Sequence, residues 1–331
     1  VYLYEVKLML TAMNENNEQV SARQASRLEC YYCPICKERL ILRQGIKVTP
    51  HFAHPSGQIH LKHKGGETEQ HLKMKQGLFE KLAQHYEHVC LEPYLSTICQ
   101  IPDITINNQW AIEIQLSPID VETMQVRTAG LQSLGYNVVW VTEVPKKNKG
   151  SYYFTQRHQT SIIHQTRTLY CIDAKTFIPH KITQLTPIAS KTFQGEIIPI
   201  PFEQWLEDMS DPSKSIPPIR KLSQYFIERY IAYCRRKNSV LEPHLSLMYQ
   251  LQLSDEQVCK LTGFIFPEQL YFLTHPVYWQ LTVLKSLKGG SIPHQAVRKM
   301  LQPRYFAHQN VDYQRMMQTM VHAYMKLLRV T

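Results

Sequence analysis

Apolar residues at Leu72, Phe79, Leu82 and Tyr86 fall at helical spacing behind Gly65-Gly66 and predict a helix. Beyond it, Leu95 to Ile106 and Trp110 to Leu116 read as strands joined by Asn107-Asn108-Gln109, with room for another strand inside Cys90 to Ile101. Ser117-Pro118 places a cap residue before a proline at the first helical position, with Asp120 three residues beyond Ser117. That helix ends at Gly135, and Val138 to Val141 is a continuous apolar strand of the buried type. The order is αββαβ. Pro145 and the run Lys146-Lys147-Asn148-Lys149-Gly150 read as a linker. Residues 151–202 are strand-rich, and residues 203–331 read as helices broken at Pro217-Pro218, Pro243, Pro267, Pro276, Pro293 and Pro303. Four regions follow: 1–64, 65–150, 151–214 and 215–331. No internal repeat or low-complexity tract interrupts them.

Composition adds a class and charge adds a partner. The chain has 331 residues, 44% of them hydrophobic and 19% charged, enough for two or three domains with cores of their own. No apolar run approaches the roughly 20 residues needed to cross a bilayer, so membrane insertion is not expected. Glu5 and Lys7 stand where a signal peptide would be apolar, and the expected location is the cytoplasm. Eight scattered cysteines fit reduced thiols better than a disulfide framework. The net charge of +10 is uneven: residues 1–150 carry 16 Lys/Arg against 15 Asp/Glu, whereas residues 215–331 carry 15 against 6. A basic segment joined to a nearly neutral one suggests an anionic polymer as partner, general solubility charge being the alternative. Its groups are Arg220-Lys221, Arg235-Arg236-Lys237, Arg298-Lys299 and Arg304, interleaved with Tyr225, Phe226, Tyr230, Tyr233, Tyr305 and Phe306, which either stack on unpaired bases or form helix core.

Two constellations carry chemistry. Cys33-Pro-Ile-Cys36 is followed, after fourteen residues, by His51-Phe-Ala-His54. Two thiolates and two imidazoles close a tetrahedral Zn(II) shell with no open position, which makes a structural staple for a small apolar-poor segment. His60 and His63 are rival ligands.

The second is Pro102-Asp103, nine residues, then Glu113-Ile-Gln115. Matching the apolar faces of an antiparallel pair requires Ile104 opposite Ile112, leaves Asn107 to Gln109 as the loop and sets Asp103 opposite Glu113, about 5 Å apart. Such carboxylates repel unless a cation lies between them, and Mg(II) or Mn(II) suits their hard oxygens. The alternative is two polar residues on a solvated sheet face. Gln115 can hydrogen-bond water or phosphate but brings no positive charge. Upstream, Glu67, His71 and Lys75 form one stripe at i, i+4 and i+8, either a third acid with a phosphate contact or a solvated face. Arg127 is a phosphate clamp or an ordinary surface arginine.

Met9-Leu-Thr-Ala-Met-Asn, Cys33-Pro-Ile-Cys36, His51-Phe-Ala-His54, Glu67-Thr-Glu-Gln-His71 with Lys75, Pro102-Asp103, Glu113-Ile-Gln115 and Arg127, in that order over about residues 9–142, resemble the CoiA family of competence proteins. The resemblance implies a mixed α+β or α/β chain: an N-terminal zinc-binding module, a restriction-endonuclease-like core of the PD-(D/E)xK type and a mainly helical C-terminal domain. It implies a role in natural transformation and recombination, with single-stranded or branched DNA as partner and recombination proteins such as the RecA recombinase beside it. Asp103 and Glu113 become the core acids holding Mg(II) or Mn(II), Gln115 the lysine substitute, and Glu67, His71, Lys75 and Arg127 accessory groups. Val1 to Leu8 becomes an extension ahead of a start near Met9. Three functions compete: a metal-dependent DNA nuclease, a single-strand-binding accessory that has lost cleavage, and an adaptor whose basic half contacts an acidic protein. For the first, a lysine at position 115 is expected to raise the cleavage rate.

Overall fold

The computed structural model describes residues 8–46, 48–55, 68–210, 216–237, 239 and 242–328. Short, polar-interrupted runs at the N-terminus form an antiparallel sheet of β1 (Thr11–Met13), β2 (Gln19–Ser21), β3 (Tyr31–Tyr32), β4 (Arg39–Gly45) and β5 (Val48–Ala53), ordered β2-β1-β3-β4-β5. Met9, Ala12, Tyr31, Leu40 and Phe52 make its small core.

The helix α1 (Glu69–Leu82) starts at Thr68, whose hydroxyl accepts the His71 amide at 3.3 Å. Glu67, the first member of the expected stripe, lies outside the described residues. Next come β6 (Val89–Leu91), β7 (Ile104–Ile106), β8 (Trp110–Ile114), α2 (Val121–Ser133) and β9 (Asn137–Glu143). Of the strand expected over Leu95 to Ile106 only β7 forms, and its first part is a turn with one isolated bridge between Leu95 and Gln100. Glu92, at φ +48°, and Pro93 end the preceding strand there. The β7–β8 register pairs Ile104 with Ile112, across a loop whose Asn107 and Asn108 both have positive φ. Helix α2 is capped not by Ser117 but by Asp120, whose carboxylate accepts the Thr123 amide at 2.7 Å.

Both faces of this sheet are covered. Ile104, Ile112, Ile114, Val139 and Val141 meet Leu72 and Leu78 of α1. Ala111, Val138 and Trp140 meet Met124 and Leu131 of α2. Strands covered on both sides are apolar without a break, as Val138 to Val141 of β9 are. The solvated face considered for Asp103 and Glu113 does not exist; both are 1% exposed.

The sheet continues through β10 (Lys146–Asn148) and β11 (Ser151–Tyr153), and, after α3 (Gln156–Thr160), through β12 (Leu169–Ile172), β13 (Pro179–Ala189) and β14 (Thr192–Pro199). Its order is β10-β11-β14-β13-β12-β9-β8-β7-β6, with β9 parallel to both β8 and β12. The lysine run expected as a linker is a hairpin. Lys149 and Gly150 both take positive φ and form the two-residue turn between β10 and β11. After α4 (Trp205–Ser210), which buries Trp205 under α1, come β15 (Arg220–Lys221), α5 (Gln224–Arg236), α6 (Pro243–Leu251), α7 (Asp255–Leu261), β16 (Phe264–Ile265), α8 (Pro276–Lys288), α9 (Pro293–Met300) and α10 (Tyr313–Leu328). Pro243, Pro276 and Pro293 open helices at the first turn, where a missing N–H costs nothing. Among the described residues no helix is long and apolar enough to cross a membrane.

Candidate metal and acid sites

The knuckle before β4 turns at Lys37, φ +61°, whose amide donates to the Cys33 carbonyl at 2.9 Å. This folds Cys36 back beside Cys33, and His54, just past β5, meets them: the three ligand atoms lie within 4.8 Å of one another, with Cys36 Sγ 3.3 Å from His54 Nε2. Burial pushes the Cys33 thiol up to about 11. A cation is what would hold it as a thiolate. His51 does not join the cluster. An odd spacing along an extended chain turns His51 and His54 to opposite sides. His51 is buried, its Nδ1 is 2.8 Å from the Thr49 carbonyl, and its Nε2 has no hydrogen bond among the described residues. The rival ligands His60 and His63 lie outside those residues. Two thiolates and an imidazole form a donor set that fits Zn(II).

The second site gathers where β6, β7 and β8 end beside α1 and α2. Asp103, one residue ahead of β7, accepts the Ile114 amide on Oδ2 at 2.8 Å, which locks its carboxylate across the β8 strand. From α1, Lys75 places its ammonium 3.0 Å from Asp103 Oδ1, and His71 Nε2 lies 3.8 Å from Oδ2. Lys75 is fully buried, and so neither it nor His71 belongs to a solvated stripe. From α2, Arg127 reaches both oxygens of Glu113 at 2.6 Å. Arg127 is thus no ordinary surface arginine. Gln115 turns away: its amide donates to the Ser117 carbonyl at 2.7 Å.

One participant was not foreseen. Glu92, 2% exposed, accepts Lys75 on Oε1 at 2.7 Å. No local pattern announces it, because its partners are 17 and about 80 residues away in sequence. The only nearby signal is the strand end at Glu92-Pro93. Hard carboxylate oxygens at Asp103 and Glu113 fit Mg(II) or Mn(II) in donor class, with water and phosphate completing the shell. To hold an ion, Glu113 must exchange a bond to Arg127.

A third group, Cys234, Glu242 and His244, also lies within 4.8 Å. Its carboxylate is occupied as the cap of α6: Oε2 accepts the His244 and Leu245 amides at 2.8 and 2.9 Å, and Oε1 faces the His244 ring and Lys237.

The basic half sorts by burial. Arg304 is 2% exposed and donates to the carbonyls of Leu270, Ser190 and Phe272 and to Gln159, so it pins the helical region to the sheet rather than facing solvent. Phe306 is core, and Tyr230 stacks on His275 at 3.5 Å. Arg235 is held by Asp255 at 2.6 Å. Tyr225 and Tyr233 are more than half exposed on α5, with Arg229 5.5 Å over the first ring and Lys237 5.2 Å over the second. The opposite face of α5 buries Ile227, Ile231 and Cys234.

Comparison with known proteins matches residues 67–209 to the nuclease-like domain of competence protein CoiA and residues 13–59 to its N-terminal domain. Competence protein CoiA of Bacillus subtilis (strain 168) is 26% identical over 183 residues, 53% of this chain and 48% of that relative. The chain thus spans about half the length of the curated relative it matches. No solved structure matches.

Proposed function

The chain belongs to the CoiA family of competence proteins, and from that premise we propose that it cleaves DNA phosphodiesters during natural transformation at Asp103 and Glu113, with Mg(II) or Mn(II). The observation that supports this most is a buried lysine from α1 placed 3.0 Å from Asp103, while the glutamine at the motif's lysine position is turned away. Lys75 supplies the cation that Gln115 lacks.

The bound ion would provide a water of lowered pKa and polarise the scissile phosphate. The residues do the rest. Asp103 is fixed by the Ile114 amide, so its carboxylate keeps one direction. Lys75 offers its ammonium to the attacking water or to a phosphate oxygen. Arg127, once released from one oxygen of Glu113, would offer its guanidinium to the negative charge that grows at phosphorus.

We assign the strand itself to α5. Tyr225, Arg229, Tyr233 and Lys237 recur every four residues on its exposed face, alternating rings for bases with cations for phosphates. This spacing fits single-stranded DNA. Zn(II) is the ion we assign to Cys33, Cys36 and His54. The eight free cysteines fit a reducing, cytoplasmic setting.

A second reading has one observation in its favour. Arg127 ties both oxygens of Glu113, as expected of a structural ion pair in an accessory that binds DNA without cutting it. Cleavage of single-stranded, duplex and branched substrates with Mg(II) or Mn(II) decides. The expected result is divalent-dependent cleavage that Asp103→Asn and Glu113→Gln abolish while strand binding persists. No cleavage by the unmodified protein with either ion would leave the accessory.

A further inference from the structure

Glu92 has a carboxylate that serves two modules at once. Its Oε1 lies 2.7 Å from Lys75 Nζ. Its Oε2 accepts the backbone amides of Leu10 at 2.7 Å and Thr11 at 3.0 Å, where the N-terminal sheet begins. The main chain at the same residue is tied on both sides. The Glu92 backbone amide donates to the Asp103 carbonyl at 2.9 Å, and the Gln19 side-chain amide (Nε2) donates to the Glu92 carbonyl at 2.8 Å, the Leu91 carbonyl at 3.1 Å and the Thr11 hydroxyl at 2.8 Å. Residue 92 is held at φ +48°, a region that non-glycine residues rarely enter. Such a conformation persists only where its surroundings over-determine it.

A buried ammonium is poorly placed unless its donors meet anions, and a buried charge group is a weak device for stability. Here the two anions beside Lys75 come from opposite sides: Asp103 from the acid pair and Glu92 from the junction with the N-terminal sheet. We propose that Glu92 is a positioning residue through which docking of the N-terminal sheet fixes the Lys75 ammonium beside Asp103. The nuclease-like core is then incomplete without its N-terminal module, for a reason separate from the metal cluster within that module.

The consequence for cleavage rests on the function proposed above, whereas the consequence for backbone protection does not. Glu92→Gln in the full chain keeps the shape but leaves one oxygen, which can serve Lys75 or the amides but not both. Hydrogen exchange at Leu10 and Thr11 should accelerate at least tenfold, and kcat should fall at least tenfold with KM within twofold. Gln19→Ala, on the exposed side of β2 and touching no carboxylate of the acid pair Asp103 and Glu113, should transmit the same change inward, with faster exchange at the amides of Glu92 and Ile114. Lys75→Met should accelerate exchange at Leu10 and Thr11 from the other end. Unchanged exchange at Leu10 and Thr11 in Glu92→Gln, or inward exchange at Ile114 untouched by Gln19→Ala, overturns the coupling. An unmodified chain that cuts no DNA would remove the cleavage reading alone, because the exchange measurements still decide this one.

Discussion

Lys75 carries the strongest claim about a single side chain. A charge with no exposure that touches two carboxylates is costly to remove, since cutting one partner from a buried pair leaves the other uncompensated, at about 3 to 5 kcal/mol. Lys75→Met should therefore lower the midpoint of urea unfolding and, in the protein that still folds, reduce divalent-dependent cleavage at least a hundredfold. Gln115→Lys was expected from the motif to raise the rate. With Lys75 already beside Asp103 and residue 115 directed at Ser117, it should now change the rate less than threefold. Rates of both variants at saturating Mn(II) check this, and a large gain in Gln115→Lys would restore position 115 to the chemistry. The sequence placed Lys75 and His71 on one stripe, because helical spacing is local information. It could not say that the stripe is buried, because that depends on sheet strands thirty residues downstream. Glu92 was illegible for the same reason.

Elements resolve what residue types left open. The hairpin register of β7 and β8 was readable from alternating isoleucines and a loop of turn residues, whereas of the two histidines at the end of β5 only His54 meets the cysteines. HxxH brings two rings together on a helix, but on an extended strand an odd interval separates them. Metal content should follow that geometry: Cys36→Ser and His54→Ala should lose the bound metal, and His51→Ala should retain it, as elemental analysis of freshly purified protein would show. Equal loss in all three would return His51 to the shell. The basic groups and interleaved aromatics of α5 were readable, and exposure then divides those aromatics and the ones near them. Tyr225→Ala and Tyr233→Ala should each weaken single-strand binding by about 1 to 3 kcal/mol, and Arg229→Ala should also reduce the slope of log affinity against log salt. Phe306→Ala should lower stability and leave affinity alone, because that ring lies in the core. Titration of a fluorescent oligonucleotide at several salt concentrations separates these outcomes.

At the scale of the whole molecule, the αβ core and the proline-started helices were visible because their signals are periodic or punctuating. The extent of the main sheet was not, since nothing local says that β12 will lie parallel to β9. Packing of the helical region, within itself and against that sheet, buries histidines. Burial and the neighbouring His308 bring His164 down to about 4, and burial and His244 bring His275 down to about 3. Both are neutral in the folded protein but take a proton near pH 6.5 when unfolded. Their contribution is complete above pH 6.5 and is lost as the pH falls toward 4, at a slope on the order of 1 kcal/mol per pH unit for each. Glu242 acts lower. Burial pushes its carboxyl up, but the Leu245 amide, His244 and Lys237 overcome this and hold it at about 2, so its contribution goes only below about pH 4.5. Thermal midpoints measured from pH 8 to pH 5 should fall steadily below about 6.5, and a flat profile would mean that these rings open to solvent.

The hairpin of β10 and β11 gives the nine-stranded sheet one of its two margins. A margin of unpaired amides and carbonyls invites strands from other chains, and a newly made protein at high local concentration is most vulnerable there. The three residues of β10 are all exposed, and Lys146, Lys147 and Lys149 crowd that rim with like charge. A run with the composition of a spacer thus acts as a guard against self-association, repelling a second copy before its backbone can pair.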